Sequence, residues 1–200
     1  MNSNKYNLAG WVAIGQTAMF PLVFGVGIIQ SIIARKAFDY SGPSVGPSDL
    51  LAIALLAMSI YTIYMLRELL HDHFDYHGID TLVTLAIWWI VISQLGGIGL
   101  KVLMMIIWPM SALGFLILWG SWMAFAMITI GVIDIMIGIK LTRQGNVFGD
   151  KIKAYAYVTL IAGVLEVTVI GTFLALILVP ISSIILAMIF FQQKEEVEFV

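Results

Sequence analysis

The stretch Met110–Leu141, MSALGFLILWGSWMAFAMITIGVIDIMIGIKL, holds two charged residues, Asp134 and Lys140. A helix needs about 20 apolar residues to cross the roughly 30 Å hydrocarbon layer of a bilayer, and this run exceeds that. It reads as a transmembrane helix long enough to tilt or protrude. The rest of the chain repeats the pattern. Of 200 residues, 61% are hydrophobic and 11% charged, with a mean hydropathy of +1.02. Soluble domains are about 45–50% apolar and about 25% charged. A soluble globular protein and a disordered chain are excluded. A net charge of −2 and a pI near 5.8 leave no basic surface for nucleic acid.

Working outward, the sequence predicts an all-α, polytopic membrane protein in one integral membrane domain, residues 1–200. The first span is placed at 8–34, with Pro21 near its centre. It is too long for a signal-peptide core and is expected to be retained. A loop over 35–48 contains Gly42-Pro43 and Gly46-Pro47. Span 2 is placed at 50–74, with Asp49 as its N-cap and Gly78 as the stop of a polar extension over 67–77. Span 3 is placed at 81–107, after a candidate N-cap at Asp80 and before a break at Trp108-Pro109. Span 4 covers 110–141, and a loop over 144–150 holds Gly145, Asn146 and Gly149. The last apolar stretch is divided at Pro180 into a fifth span, 152–179, and a shorter apolar helix, 181–193, followed by an acidic tail, 194–200.

With the N-terminus cytoplasmic, Lys5, Arg67, Lys140, Arg143, Lys151 and Lys153 fall inside, and Arg35, Lys36 and Lys101 outside. That asymmetry favours this orientation. Tyr6, Trp11, Tyr64, Tyr155 and Tyr157 would form an inner aromatic belt, with Trp108 at the outer interface. Trp88, Trp89, Trp119 and Trp122 sit deeper. A multi-pass protein of a bacterial inner membrane or a plasma membrane fits this pattern.

Three charged residues fall inside apolar spans: Lys101, Asp134 and Glu166. Intramembrane charge costs about 2.5–3.5 kcal/mol per residue on insertion scales, so each is a functional candidate. Glu166 lies about 20 Å beyond Lys153 at ~1.5 Å per residue. Gly163, Ala162 and Thr159 share its face, the small-residue kind that packs helix on helix. It serves either as a relay for protons or cations, or as a neutral carboxyl hydrogen-bonded to a neighbouring helix. Asp134, flanked by Gly131 and Gly138, lies about 9 Å before Lys140 and could reach it. The two acids are expected at different depths, sharing a stepped path rather than one proton. Gln94 is the expected hydrogen-bond partner of Glu166, with Gln16 extending the path inward. Lys101, after Gly96-Gly97-Ile98-Gly99, reads as a lysine snorkelling to headgroups.

All 3 histidines lie in the run His71-Asp72-His73-Phe74-Asp75-Tyr76-His77. His73 and His77 at i, i+4 share a helix face. Such a pair can chelate a divalent metal, with Asp80 as an oxygen ligand. Sensing of pH by His71, His73 and His77 is a second reading. A solvated helix extension with no ligand is the third. No cofactor is otherwise implied.

The chain has no cysteine, which removes thiolate chemistry. Three histidines are too few for a histidine-box oxygenase, and no zinc-protease, nucleophile-elbow or phosphate-loop motif occurs. The expectation is a non-enzymatic protein conducting or transporting a small ion or solute. The alternatives are a structural, assembly or regulatory membrane protein, and a metalloenzyme using the histidines. Expected partners are lipids and either a second copy of the chain or another membrane protein, met through the Gly131, Gly138 and Gly163 faces.

Overall fold

The computed structural model describes residues 3–38, 45–106, 112–168 and 171–198. It comprises α1 (Ser3–Phe38), α2 (Pro47–Phe74), α3 (Asp80–Ile106), α4 (Ala112–Arg143), the short α5 (Gly145–Phe148), α6 (Asp150–Val167) and α7 (Thr172–Glu198). The protein is an all-helical polytopic membrane protein. Four helices are long and apolar enough to cross a bilayer, and the apolar stretch Ile177–Gln192 of α7 is a shorter fifth. Many large apolar side chains on these helices are exposed, among them Trp11, Ile28, Leu50, Trp88, Ile106 and Ile177. In water such surface would drive aggregation; in hydrocarbon it is the correct solvent contact.

Each long helix packs on the next, and α7 returns to close against α1. The order around the bundle is therefore α1, α2, α3, α4, α6, α7. Alternating direction follows from the short connections. The buried cluster lies toward one end: Tyr6 and Ala9 of α1, Leu66, Leu69 and Leu70 of α2, Leu82, Val83 and Ala86 of α3, Ile133, Ile137 and Leu141 of α4, Ile152, Tyr155 and Ala156 of α6, and Leu186, Ile189 and Phe190 of α7. The start of α1 and the end of α7 meet there, where Tyr6 stacks on Phe190 with ring centroids 6.4 Å apart. Phe148 of α5 closes this end, edge-on to Phe74 at 4.9 Å and Tyr76 at 5.0 Å. Gly149 at φ 84° lets the chain reverse between α5 and α6, a backbone region open to glycine.

Several boundaries differ from the sequence reading, each for a local reason. The last apolar stretch does not break at Pro180, which lies inside α7. Instead α6 ends at Val167 and α7 begins at Thr172; the sequence there is the β-branched run Val167-Thr168-Val169-Ile170 followed by Gly171. Consecutive β-branched residues lose rotamer freedom in a helix, and glycine adds backbone entropy. Thr168 closes the turn by accepting the Gly171 N–H at 3.3 Å. The expected fifth span and short arm are therefore a hairpin, 18 residues of α6 against 27 of α7. Around Pro180, the Ser182 and Ser183 hydroxyls both donate to the Val179 carbonyl. The expected acidic tail is helical to Glu198. The breakers Gly42-Pro43 and Trp108-Pro109 lie outside the described residues.

α2 stops at Phe74, not at Gly78. Asp75 takes the left-handed conformation at φ 47°, and the Tyr76 N–H reaches back to the Leu70 carbonyl at 3.1 Å. With the Asp75 N–H on the His71 carbonyl at 3.1 Å, this is an αL stop with aspartate in the usual glycine place. Aspartate is one of the few side-chain-bearing residues that visits this region readily. Asp49 is not the N-cap of α2. Gly46 is, and Asp49, three residues on, accepts the Gly46 N–H at 2.9 Å. Of the expected aromatic belt, Tyr6 and Tyr155 are core residues, whereas Trp11, Tyr64 and Tyr157 are exposed. Two of the deeper tryptophans bridge α3 and α4: Trp89 Nε1 donates to the Ala126 carbonyl at 3.1 Å and Trp122 Nε1 to the Ser93 carbonyl at 3.2 Å. Trp88 faces outward.

Candidate functional site

The closest helix approach is α4 on α6. A Cβ built on Gly163 would sit 2.6 Å from the Gly131 carbonyl oxygen and 2.9 Å from the Ile135 nitrogen. One built on Gly138 would sit 2.7 Å from Leu160 Cβ and 2.9 Å from the Ala156 oxygen. Backbone meets backbone here, which only glycine permits. The contact sets the register of the two helices and so the relative depth of the intramembrane acids.

Glu166 Cβ lies 3.0 Å from where a Cβ of Gly131 would be. Asp134 is three residues further along α4, so it lies about one turn, roughly 5 Å, from Gly131 along the axis. The two acids thus lie at different depths, about one turn apart along the α4/α6 contact. Tyr155, Thr159, Ala162 and Gly163 are buried along the α6 helix at spacings that put them on the side bearing Glu166.

Neither carboxyl is in an ion pair among the described residues, and Glu166 Oε2 is buried without a hydrogen-bond partner. Gln94 does not supply one: it lies on α3, which packs on α2 and α4, not α6. Gln16 is elsewhere, donating to Ser59 Oγ at 3.0 Å and accepting from Thr62 Oγ1 at 3.1 Å. It fastens α1 to α2. Gln16→Leu is expected to cost about 1 kcal/mol or less, the usual range for interhelical hydrogen bonds in membranes. Thermal unfolding in detergent measures this. Nor does Lys140 serve Asp134; its Nζ donates to the Gly78 carbonyl at 2.6 Å, tying α4 to the α2–α3 turn.

A second polar group lies at that turn, at the packed end. Because α2 stops at Phe74, His73 and His77 do not share a helix face. His73 turns inward, its ring edge-on to Tyr6 at 5.6 Å and its Nδ1 buried without a partner. His71 and His77 come together instead, ring centroids 4.1 Å apart. His71 Nε2 is 2.6 Å from Asp80 Oδ1 and His77 Nδ1 is 3.2 Å from Asp80 Oδ2. Arg67 Nε donates to Asp80 Oδ1 at 3.1 Å, a partner that sequence reasoning missed. Asp80 is the first residue of α3, where a carboxylate also suits the helix dipole. On the α1 side of α2, Lys5 Nζ and the Tyr6 hydroxyl both donate to Asp72 Oδ2 at 2.7 Å.

At the opposite end, Lys101 does not snorkel. Its Nζ lies 2.7 Å from Asp49 Oδ1, and Asp49 is 5% exposed. Beside it the Ser48 hydroxyl donates to Gln30 Oε1 at 2.8 Å. Asp49 was missed as a partner because it read as a helix cap. The available signal was that Asp49 and Lys101 lie at similar distances from the α2–α3 turn on antiparallel helices, and so at similar depth.

Compared with known proteins, the chain matches no family, no curated protein and no solved structure.

Proposed function

We propose that this membrane protein moves protons or a small cation, with Asp134 and Glu166 at the α4/α6 crossing as the site that takes up the moving charge. The observation that carries the reading is the buried, unpartnered Glu166 Oε2 at the α4/α6 contact, about one helical turn from Asp134. A carboxylate removed from water is costly without a partner. Two carboxylates in reach of each other add repulsion. One bound proton or cation relieves both costs, and its release to the next site is transport. The alternative, a partner-binding protein using the glycine faces, has less support. Gly131, Gly138 and Gly163 are occupied by the α4/α6 contact within the chain, so a second copy or another membrane protein would have to use other surfaces.

The packed end carries Lys5, Arg67, Lys140, Arg143, Lys151 and Lys153, and α7 brings residue 194 back to it. By the positive-inside rule this end is cytoplasmic. The membrane fitting these features is a bacterial inner membrane or a plasma membrane.

Glu166→Gln preserves the side-chain shape and removes ionisation. In proteoliposomes under a pH or cation gradient, wild-type flux is expected to exceed that of Glu166→Gln by about a hundredfold or more, the order of effect of a general acid–base group. Glu166→Asp should retain part of it. Size-exclusion chromatography establishes that each variant is folded. Wild-type protein without flux under any gradient, or a folded Glu166→Gln that conducts like wild type, sinks the reading.

A further inference from the structure

We propose that His71, His77 and Asp80 form a binding site for one zinc ion, or a similar imidazole-preferring divalent ion, at the α2–α3 turn. The potential ligand atoms of the three side chains all lie within 4.8 Å of one another. In a tetrahedral zinc site with bonds near 2.0–2.1 Å, ligand atoms are about 3.3 Å apart. The distances of 2.6 Å and 3.2 Å from the two histidines to Asp80 are both shorter than that value, so the side chains open slightly to admit an ion. Two imidazoles and one carboxylate suit zinc over magnesium or calcium, which take oxygen ligands.

The surroundings resemble a supporting layer for such a site. His77 faces Asp80 with Nδ1, and its Nε2 lies 3.4 Å from Asp75 Oδ1. A carboxylate on the far nitrogen fixes the tautomer that presents the other nitrogen to a metal. Arg67 and His71 both lie on Asp80 Oδ1, so an ion bound through Oδ2 draws the His71 ring off Oδ1 toward itself. The positive charge of Arg67 opposes the cation and moderates affinity. Asp75 adopts its left-handed backbone at the position that folds His77 back over His71. His77 is 61% exposed on its side chain, so the site is open to water, which can supply the fourth ligand. The ion would cross-link the end of α2 to the start of α3 at the proposed cytoplasmic end. The site is independent of the carboxyl pair.

The test uses the untagged full chain in detergent, stripped with chelator and titrated with Zn²⁺ by calorimetry and with Co²⁺ by visible absorption. One ion per chain is expected, with a d–d spectrum characteristic of four-coordinate nitrogen and oxygen ligation. His77→Ala, at an exposed position, should weaken affinity at least about tenfold, and Asp75→Asn by about tenfold, the usual size of an outer-shell loss. His73→Phe keeps a ring against Tyr6 and removes only nitrogens pointing away from the site, so it should bind as wild type. Absence of stoichiometric Zn²⁺ or Co²⁺ binding by the wild type overturns the proposal. So does binding that survives His77→Ala and is lost in His73→Phe. Neither result bears on flux through Asp134 and Glu166.

Discussion

Lys101→Met is expected to destabilise the folded protein by about 3–5 kcal/mol, because it leaves the Asp49 carboxylate buried without its counter-ion. In a chain of this size that corresponds to a fall in melting temperature of the order of 10 °C. The ion pair is short, at 2.7 Å, and Asp49 has almost no exposure with which to recover water. Asp49 also accepts the Gly46 N–H, so the pair joins the first turn of α2 to the last turns of α3. Adding Asp49→Asn to Lys101→Met should recover much of the loss: the charge is gone and an oxygen remains for Gly46. Thermal unfolding in detergent compares the three proteins. A lysine merely snorkelling to headgroups would give no loss in the single variant and no recovery in the double, and that pattern would remove the pair as a structural element.

Gly163→Leu is expected to be at least as damaging. The first atom it adds would meet the Gly131 carbonyl oxygen at 2.6 Å and the Ile135 nitrogen at 2.9 Å. Both are backbone atoms and cannot rotate away. Overpacking a tight contact costs roughly 1–3 kcal/mol for small additions, and a full leucine should reach about 3 kcal/mol or more as α4 and α6 are forced apart. Gly120→Leu is the control. It lies in α4, with nothing within 4 Å of its would-be Cβ, and should change stability by less than about 0.5 kcal/mol. Equal melting temperatures for the two variants would refute the close crossing. Separation of the helices should also move Glu166 off Asp134, so any Gly163→Leu protein that remains folded is expected to lose flux.

The intramembrane charges were legible one at a time and misread as pairs. Glu166 and Asp134 stand out because each interrupts an apolar run. Their spacing across the helix contact does not, because it is set by the backbone approach at Gly131, Gly138 and Gly163. The histidine run was visible as a metal candidate, yet its membership depended on one backbone angle. A helix continuing to Gly78 would pair His73 with His77. The left-handed Asp75 ends it and pairs His71 with His77 instead. Similarly, a proline looked like the stronger breaker of the last apolar stretch, but β-branched residues and Gly171 ended the helix first.

The sequence by itself determined the membrane-helical class. The transfer of apolar residues to hydrocarbon is nearly additive along a window, so no knowledge of neighbours is needed. It also determined which side chains are costly in that setting: Lys101, Asp134 and Glu166. Only the tertiary structure decided what each of them faces. Pairing depends on the axial offset between helices, and that offset is set by the backbone contact at Gly131, Gly138 and Gly163 and by the turns at Asp75 and Thr168. A shift of one turn, about 5.4 Å, is enough to exchange one partner for another.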